Sequence, residues 1–235
     1  INCSGAASVS DSITNPVGDY SLNVTGVMNQ LAAIKKYNPK CKYINLSSAA
    51  VYGNPSHLPI SESHPLQPIS PYGEHKKEAE EWCHAFYVNY GIKTCSLRIF
   101  SAYGPGLKKQ LFWDLYQKSL KSNEVQLYGT GAESRDFIYV TDIVRAIECV
   151  ILKGTFISEI VNVANGIELS IKEVAQTFYS YYNKEIEPSF GGETRKGDPV
   201  NWVADISKLK AYGFESKVNI NDGLKQYVRW LNAGE

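Results

Sequence analysis

The chain has 235 residues, 43% of them hydrophobic and 20% charged, and its Lys+Arg and Asp+Glu totals balance at 24 each. That suits a globular protein of one large domain or slightly more, and the even charge argues against a nucleic-acid-binding face or an acidic tail. No apolar run reaches the roughly 18–20 residues of a membrane span. Five widely spaced cysteines without a CxxC pair read as reduced thiols of a cytoplasmic protein, and the four histidines lack metal-ligand spacing, so no metal is expected.

The opening "INCSGAASVS" reads as the end of a buried strand running into a loop. Residues 19–36 place Leu22, Val27, Leu31 and Ile34 at helical spacing and end in lysines that suit a helix C-terminus. A strand, "CKYINLSS", precedes a Pro-rich loop over 54–71. A helix is predicted over 72–90, with Ala79, Trp82, Cys83 and Phe86 on its apolar face and Gly91 as its stop, and "KTCSLRIF" is the next strand. Strand–helix–strand order with continuous apolar strands marks a parallel sheet covered on both faces. Further on, helical stretches near 109–121, 141–153, 170–183 and 221–232 alternate with the short strands "VQLY", "DFIYV" and "IVNVA". The expected fold is α/β: a doubly wound parallel sheet with a smaller C-terminal lobe, binding ligands at the strands' carboxyl ends and between the lobes.

Within "SPYGEHKKEAE", Tyr72 and Lys76 lie four residues apart and share one helix face. A free phenol ionises near pH 10, and a neighbouring ammonium favours the phenolate. Lowering that value by about three units takes roughly 4 kcal/mol. Upstream, "YINLSS" ends at Ser47 and Ser48, and a hydroxyl at a strand tip can both donate and accept. Ser48 could therefore hold a substrate hydroxyl for Tyr72 to deprotonate.

Five ordered stretches, "INLSSAAVYG", "PISPYGEHKKEAE", "LRIFSAYGPG", "RDFIYVTDIVRAI" and "RKGDP", resemble the extended short-chain dehydrogenases/reductases, and more narrowly the NAD-dependent nucleotide-sugar epimerases and dehydratases. The resemblance implies a Rossmann-like half and a substrate lobe. None of the 18 glycines forms GxxGxxG or GxGxxG, so the first three strand–helix units of that half are expected to be missing. Residues 1–104 would then be the remainder of the NAD-binding domain, joined by later segments, and 105–235 mainly the nucleotide-sugar lobe.

Carried over residue by residue, the resemblance makes Ser48 the catalytic hydroxyl, Tyr72 the base and Lys76 its tuner and nicotinamide-ribose ligand. Ser4, Gly5, Asn23, Ser47 and Phe100 would complete the site for NAD, in preference to NADP. Arg135 and Arg195 would grip the nucleotide diphosphate, Tyr128 would meet the nucleotide, and Ser101, where the family usually has Asn, would face the sugar or phosphate. Trp202 would limit the sugar's 2-substituent, which favours an unmodified hexose. Asp198 and Arg98 would be structural, and Asp142 would order its helix.

The family's dehydratases and decarboxylases place an acid, and its reductase–epimerases a Cys, where this chain has Ala49 and Ala50. The reaction implied is C4 epimerisation of a nucleotide-linked hexose of the UDP-glucose/UDP-galactose type through a 4-keto intermediate, with NAD accepting and returning the electrons. Another nucleotide-sugar oxidoreductase and a non-catalytic nucleotide-binding relative stand as alternatives. Family members often form homodimers through a four-helix bundle, for which helices 21–36 and 72–90 are the candidates. The face of 72–90 bearing Trp82, Phe86 and Tyr87 fits such a bundle or packing inside its own domain.

Overall fold

The computed structural model describes every residue except Thr194, Arg195, Lys196, Asp198 and Glu235. The first residues run beside a sheet: Asn2 bridges Asn45 in parallel and donates its N–H to the Ile44 carbonyl at 2.9 Å. Helix α1 (Val9–Thr14) is capped by the Ser8 hydroxyl, and α2 (Pro16–Tyr20) by the Asn15 side chain with Pro16 at its first position. From α2 the chain continues through a π-helical turn, Ser21–Thr25, into α3 (Gly26–Tyr37). The helix expected over 19–36 thus starts earlier and widens in its first half. A π turn inserts an extra residue into the helical ladder, and here Asn23 and Val24 face inward while Leu22 is left 53% exposed.

Strand β1 (Lys42–Ser48) ends in a tight turn, Ala49–Tyr52, and is followed by α4 (Pro71–Tyr90) and β2 (Lys93–Ile99). Next come β3 (Ser101–Tyr103), α5 (Gln110–Ser119), β4 (Gln126–Leu127), β5 (Ser134–Tyr139) and α6 (Val140–Lys153). The chain finishes with β6 (Ile157–Val163), β7 (Glu168–Ser170), α7 (Ile171–Tyr182), β8 (Ser189–Phe190), α8 (Ser207–Ala211) and α9 (Ile220–Asn232).

The main sheet is parallel, in the order β1-β2-β6. Helices α3 and α4 cover one face, where Val27, Leu31, Tyr43, Ala79, Cys83, Phe86 and Ile92 form one cluster. Phe86 therefore packs inside its own domain, with Trp82 against the same cluster. Helix α6 covers the other face, with Ala146 and Val150 against Ile44, Cys95, Leu97 and Val161. A second core joins α5, α7 and α9 to β5 through Phe112, Phe178, Leu224, Tyr227 and Phe137.

Across the main sheet the register places Ser47 opposite Arg98 and Arg98 opposite Asn162. On this row Arg98 donates to Glu80 of α4, Nη2 to Oε2 at 2.6 Å, and to the Tyr52 hydroxyl at 2.9 Å. Ser47 also donates to Glu80, and Tyr52 to Asn162. Arg98 and Glu80 are 3% and 6% exposed, so Arg98 is a structural residue of the sheet.

Residues 199–206 cross between the cores. Ala204 bridges Ile60, Asn201 bridges Ser134, and the buried Asp136 carboxylate accepts N–H groups of Ala204, Asn165 and Gly166. Burial pushes Asp136 up to about 6, against the lowering effect of those hydrogen bonds. Asp142, buried in the first turn of α6, accepts from Lys217 and Val218 N–H and from Ser216, which orders that helix start. All five cysteines are free thiols. Among the described residues no helix is long and apolar enough to cross a membrane.

Candidate active site

Ser48 sits at the carboxyl end of β1 in extended conformation, and its hydroxyl caps the following turn by accepting the Ala50 N–H at 3.2 Å. That use of one lone pair leaves its proton free to be donated. Ser70 caps α4 by accepting the Gly73 N–H, and Pro71 occupies the first helical position, so Tyr72 starts the helix beside the Ser48 turn. The approach is close: a Cβ on Gly73 would lie 2.6 Å from the Ala50 carbonyl oxygen. The Tyr72 N–H is held by the Ser12 hydroxyl of α1 at 3.1 Å.

Tyr72 and Lys76 are buried, 8% exposed each. The Lys76 ammonium donates to the Leu46 carbonyl at 2.9 Å and lies 5.7 Å from the Tyr72 ring centre. Burial pushes the Tyr72 phenol up to about 12; hydrogen bonding with the Ser48 side chain pulls it down and the Asp19 carboxylate adds to the rise. The lowering expected from Lys76 does not appear; desolvation of the phenolate is the dominant effect. Burial likewise brings Lys76 down to about 8, opposed by the negative charges of Asp19 and Glu80.

Of the residues expected to bind the cofactor, the structure gathers Gly5, Asn23 and Lys76. A Cβ on Gly5 would sit 2.9 Å from Asn23 Oδ1 and 3.6 Å from Lys76 Nζ. Both polar atoms of the Asn23 amide are buried without a hydrogen-bond partner, a costly arrangement unless a ligand completes it. Backbone closeness at Gly5, a donor–acceptor pair at Asn23 and a cation at Lys76 fit the nicotinamide-ribose end of NAD. Ser4 lies beside them, its hydroxyl bonded to Asn2 and Gln30. Ser47 is bound to Glu80 at 2.5 Å. Phe100, 6% exposed, packs on Trp202 at 6.0 Å between centroids.

The substrate-side residues are more dispersed. Ser101 is half-buried in β3 opposite Phe137. Arg135 of β5 donates to the carbonyls of Ser134, Val200 and Pro199 and lies 5.6 Å from the Trp202 ring centre, so it orders the stretch adjoining position 195. Arg195 and Asp198 lie outside the described residues. Tyr128, just past β4, is 57% exposed. Trp202 is 9% exposed and donates its indole N–H to the Gly53 carbonyl at 2.9 Å, which fixes it as a wall behind Phe100.

Three residues beside the centre went unnoticed in the sequence: Asp19, His75 and Glu80. Glu80 could have been found, since Tyr72, Lys76 and Glu80 recur every four residues and share one helix face. Asp19 gives no such signal, because its burial depends on how α2 meets α4.

A parallel sheet wrapped on both faces, with a strand-tip serine beside a helical Tyr-xxx-Lys pair and the backbone at Gly5 close to Asn23 and Lys76, is the arrangement of a dehydrogenase/reductase of the short-chain type. Comparison with known proteins narrows this. The family model described as NAD dependent epimerase/dehydratase matches residues 1–164, and the chain belongs to that family. A Methanocaldococcus jannaschii protein described provisionally as a UDP-glucose 4-epimerase is 32% identical over 232 residues, 95% of this chain and 73% of that protein. The structure of UDP-glucuronic acid 4-epimerase from Bacillus cereus, with UDP-glucuronic acid and NAD, superposes with a TM-score of 0.90 at 26% identity, covering 99% of this chain and 74% of the other. The dTDP-glucose 4,6-dehydratase of Streptomyces venezuelae, with NAD bound, gives 0.90 at 25% identity, covering 98% and 71%.

Proposed function

We propose that this chain carries the catalytic centre of an NAD-dependent 4-epimerase acting on a nucleotide-linked hexose of the UDP-glucose/UDP-galactose type. The observation that carries the reading is the grouping of Ser48, Tyr72 and Lys76 at the tip of β1, next to a turn whose Ala49 and Ala50 are buried, 0% and 8% exposed, and cannot transfer protons. That pairing favours reversible oxidation at C4 over the dehydration or decarboxylation that other members perform.

Ser48 donates its free proton to the 4-oxygen and aligns it with Tyr72. Tyr72 takes the hydroxyl proton and later returns it. Taking the phenol from about 12 to neutrality requires roughly 7 kcal/mol at 1.36 kcal/mol per unit. Gly5, Asn23 and Lys76 would hold NAD, which would supply the redox chemistry at C4 and, through the positive charge of its oxidised ring, would favour the phenolate. Arg135 and Arg195 grip the diphosphate while the 4-keto sugar turns over, and Tyr128 meets the nucleotide. Trp202, fixed behind Phe100, favours a sugar without a bulky 2-substituent.

A homodimer through α3 and α4 accompanies this proposal, with the exposed Val88 and Tyr90 near the end of α4 at its edge; sedimentation equilibrium tests it. For the activity, the experiment is a coupled assay for UDP-glucose formed from UDP-galactose with added NAD. Tyr72→Phe is expected to abolish turnover with nucleotide-sugar binding nearly unchanged. Turnover retained in that variant removes Tyr72 from the mechanism.

A further inference from the structure

Tyr72 stands in the first turn of α4, where backbone N–H groups have no acceptor within the helix. Pro71 has no N–H to satisfy. The Ser70 hydroxyl takes the N–H of Gly73, and the Ser70 carbonyl takes that of Glu74. The Tyr72 N–H is left over, and its acceptor comes from another element: the Ser12 hydroxyl of α1, at 3.1 Å. Ser12 is fully buried, 0% exposed. Its own proton goes to the Val9 carbonyl at 2.7 Å, so towards Tyr72 it can only accept. Helix α1 is itself pressed against the start of α4. Gly197 fits between the two: a Cβ there would lie 3.0 Å from Val9 Cγ1, 3.6 Å from Ser70 Cβ and 3.7 Å from Ile13 Cδ1.

We infer that Ser12 is a positioning residue for Tyr72: by accepting the backbone N–H of the base it fixes where the helix begins, and with it the reach of the phenol towards Ser48 and a substrate hydroxyl. The base is then fastened at both ends, by Ser12 at its backbone and by the Ser48 side chain at its phenol. Lys76 needs no such help, since it lies a turn further along α4 and is anchored on the Leu46 carbonyl of β1. Without the Ser12 hydroxyl the Tyr72 N–H is buried and unpaired, and the first turn must shift or fray to find another acceptor. Proton transfer requires the phenolic oxygen within hydrogen-bond reach of the proton it takes, so such a shift falls on the chemical step. Substrate binding does not pass through this backbone bond and is left as it was.

The role of Ser12 rests on the function proposed above for Tyr72, and the test separates the two. In the coupled assay with UDP-galactose and added NAD, Ser12→Ala is expected to lower kcat about ten- to hundredfold, with KM within about twofold of its original value. Thr14→Ala removes a hydroxyl of the same helix that bonds only to the Ser10 and Asp11 carbonyls, and is expected to leave both constants unchanged. A second measurement needs neither substrate nor cofactor. Protein carrying 15N,13Cζ-labelled tyrosine is followed by NMR, with the Tyr72 signals assigned from Tyr72→Phe. Ser12→Ala should speed exchange of the Tyr72 amide proton and move the Tyr72 ring signal, leaving the other tyrosines in place. If Ser12→Ala does not fold, Ser12→Cys, similar in size and a weak acceptor, is measured in its stead. An unchanged kcat, a loss carried by KM instead, or a Tyr72 ring signal that stays in place overturns the inference. An unsubstituted chain without epimerase activity overturns the proposed function, and the ring signal then decides the role of Ser12.

Discussion

Replacing Glu80 with Gln keeps the shape of the side chain and removes its charge. The Arg98 guanidinium, 3% exposed and bonded to Glu80 through both Nε and Nη2, would then be a buried cation facing an amide. Breaking a buried pair from one side costs about 3–5 kcal/mol, because the remaining ion cannot recover its hydration. At about 2–4 °C per kcal/mol for a chain of this size, the melting temperature should fall by about 6–20 °C. Urea unfolding at pH 7, followed by tryptophan fluorescence, measures the same loss as a free energy. The double replacement Glu80→Met with Arg98→Met removes both ions and should recover most of it. A loss below about 1 kcal/mol for the single variant, the size of an exposed pair, would refute the view that this row of the sheet depends on a desolvated charge pair.

Other outcomes follow from the same reasoning. Asp136 is raised from its usual 3.8 to about 6, so the native state holds its proton more tightly than the unfolded chain. Its contribution to stability is complete below about pH 4 and is lost as the pH rises through about 6; Asp136→Asn should remove that slope in urea unfolding at pH 4.5 and 7. Asn23→Leu eliminates two buried unpaired polar atoms and should raise stability by about 1–3 kcal/mol. The same change should weaken NAD binding by calorimetry; a destabilised Asn23→Leu would show that the amide is already satisfied in the fold.

Much of this was legible in the sequence for definite physical reasons. Strands β1, β2 and β6 announce themselves because a doubly covered parallel sheet needs unbroken apolar runs. Helix α4 does so because its apolar face recurs at helical spacing and Gly91 marks its end, while the Ser70 cap and Pro71 at the first helical position emerge from the structure. The strand-tip serine and the Tyr72–Lys76 pair were legible as spacing. What could not be read is what tertiary contact decides. The π turn at Ser21–Thr25 has no signal in hydrophobic periodicity, so the inward residue there is Val24 rather than Leu22. The acidity of Tyr72 is set by burial, which the one-turn spacing to Lys76 does not reveal. The short strands β3, β7 and β8 are two or three residues long, too brief for any alternation to show.

The row formed by Ser47, Arg98 and Asn162 bears on how the chain finds its fold. Strands in a parallel sheet are joined by long crossovers, so no tight hairpin fixes how far one slides past the next. A slip of β2 by a single residue would swing Arg98 to the side lined by Cys95 and Leu97 and strand Glu80 without its partner. Such an arrangement buries two lone ions, a far heavier penalty than any mismatch among aliphatic side chains. The charges in this sheet therefore act as an alignment key: they reject misthreaded pairings that hydrophobicity alone would tolerate. A chain rebuilt with methionines at both positions would keep its strength and lose its discrimination.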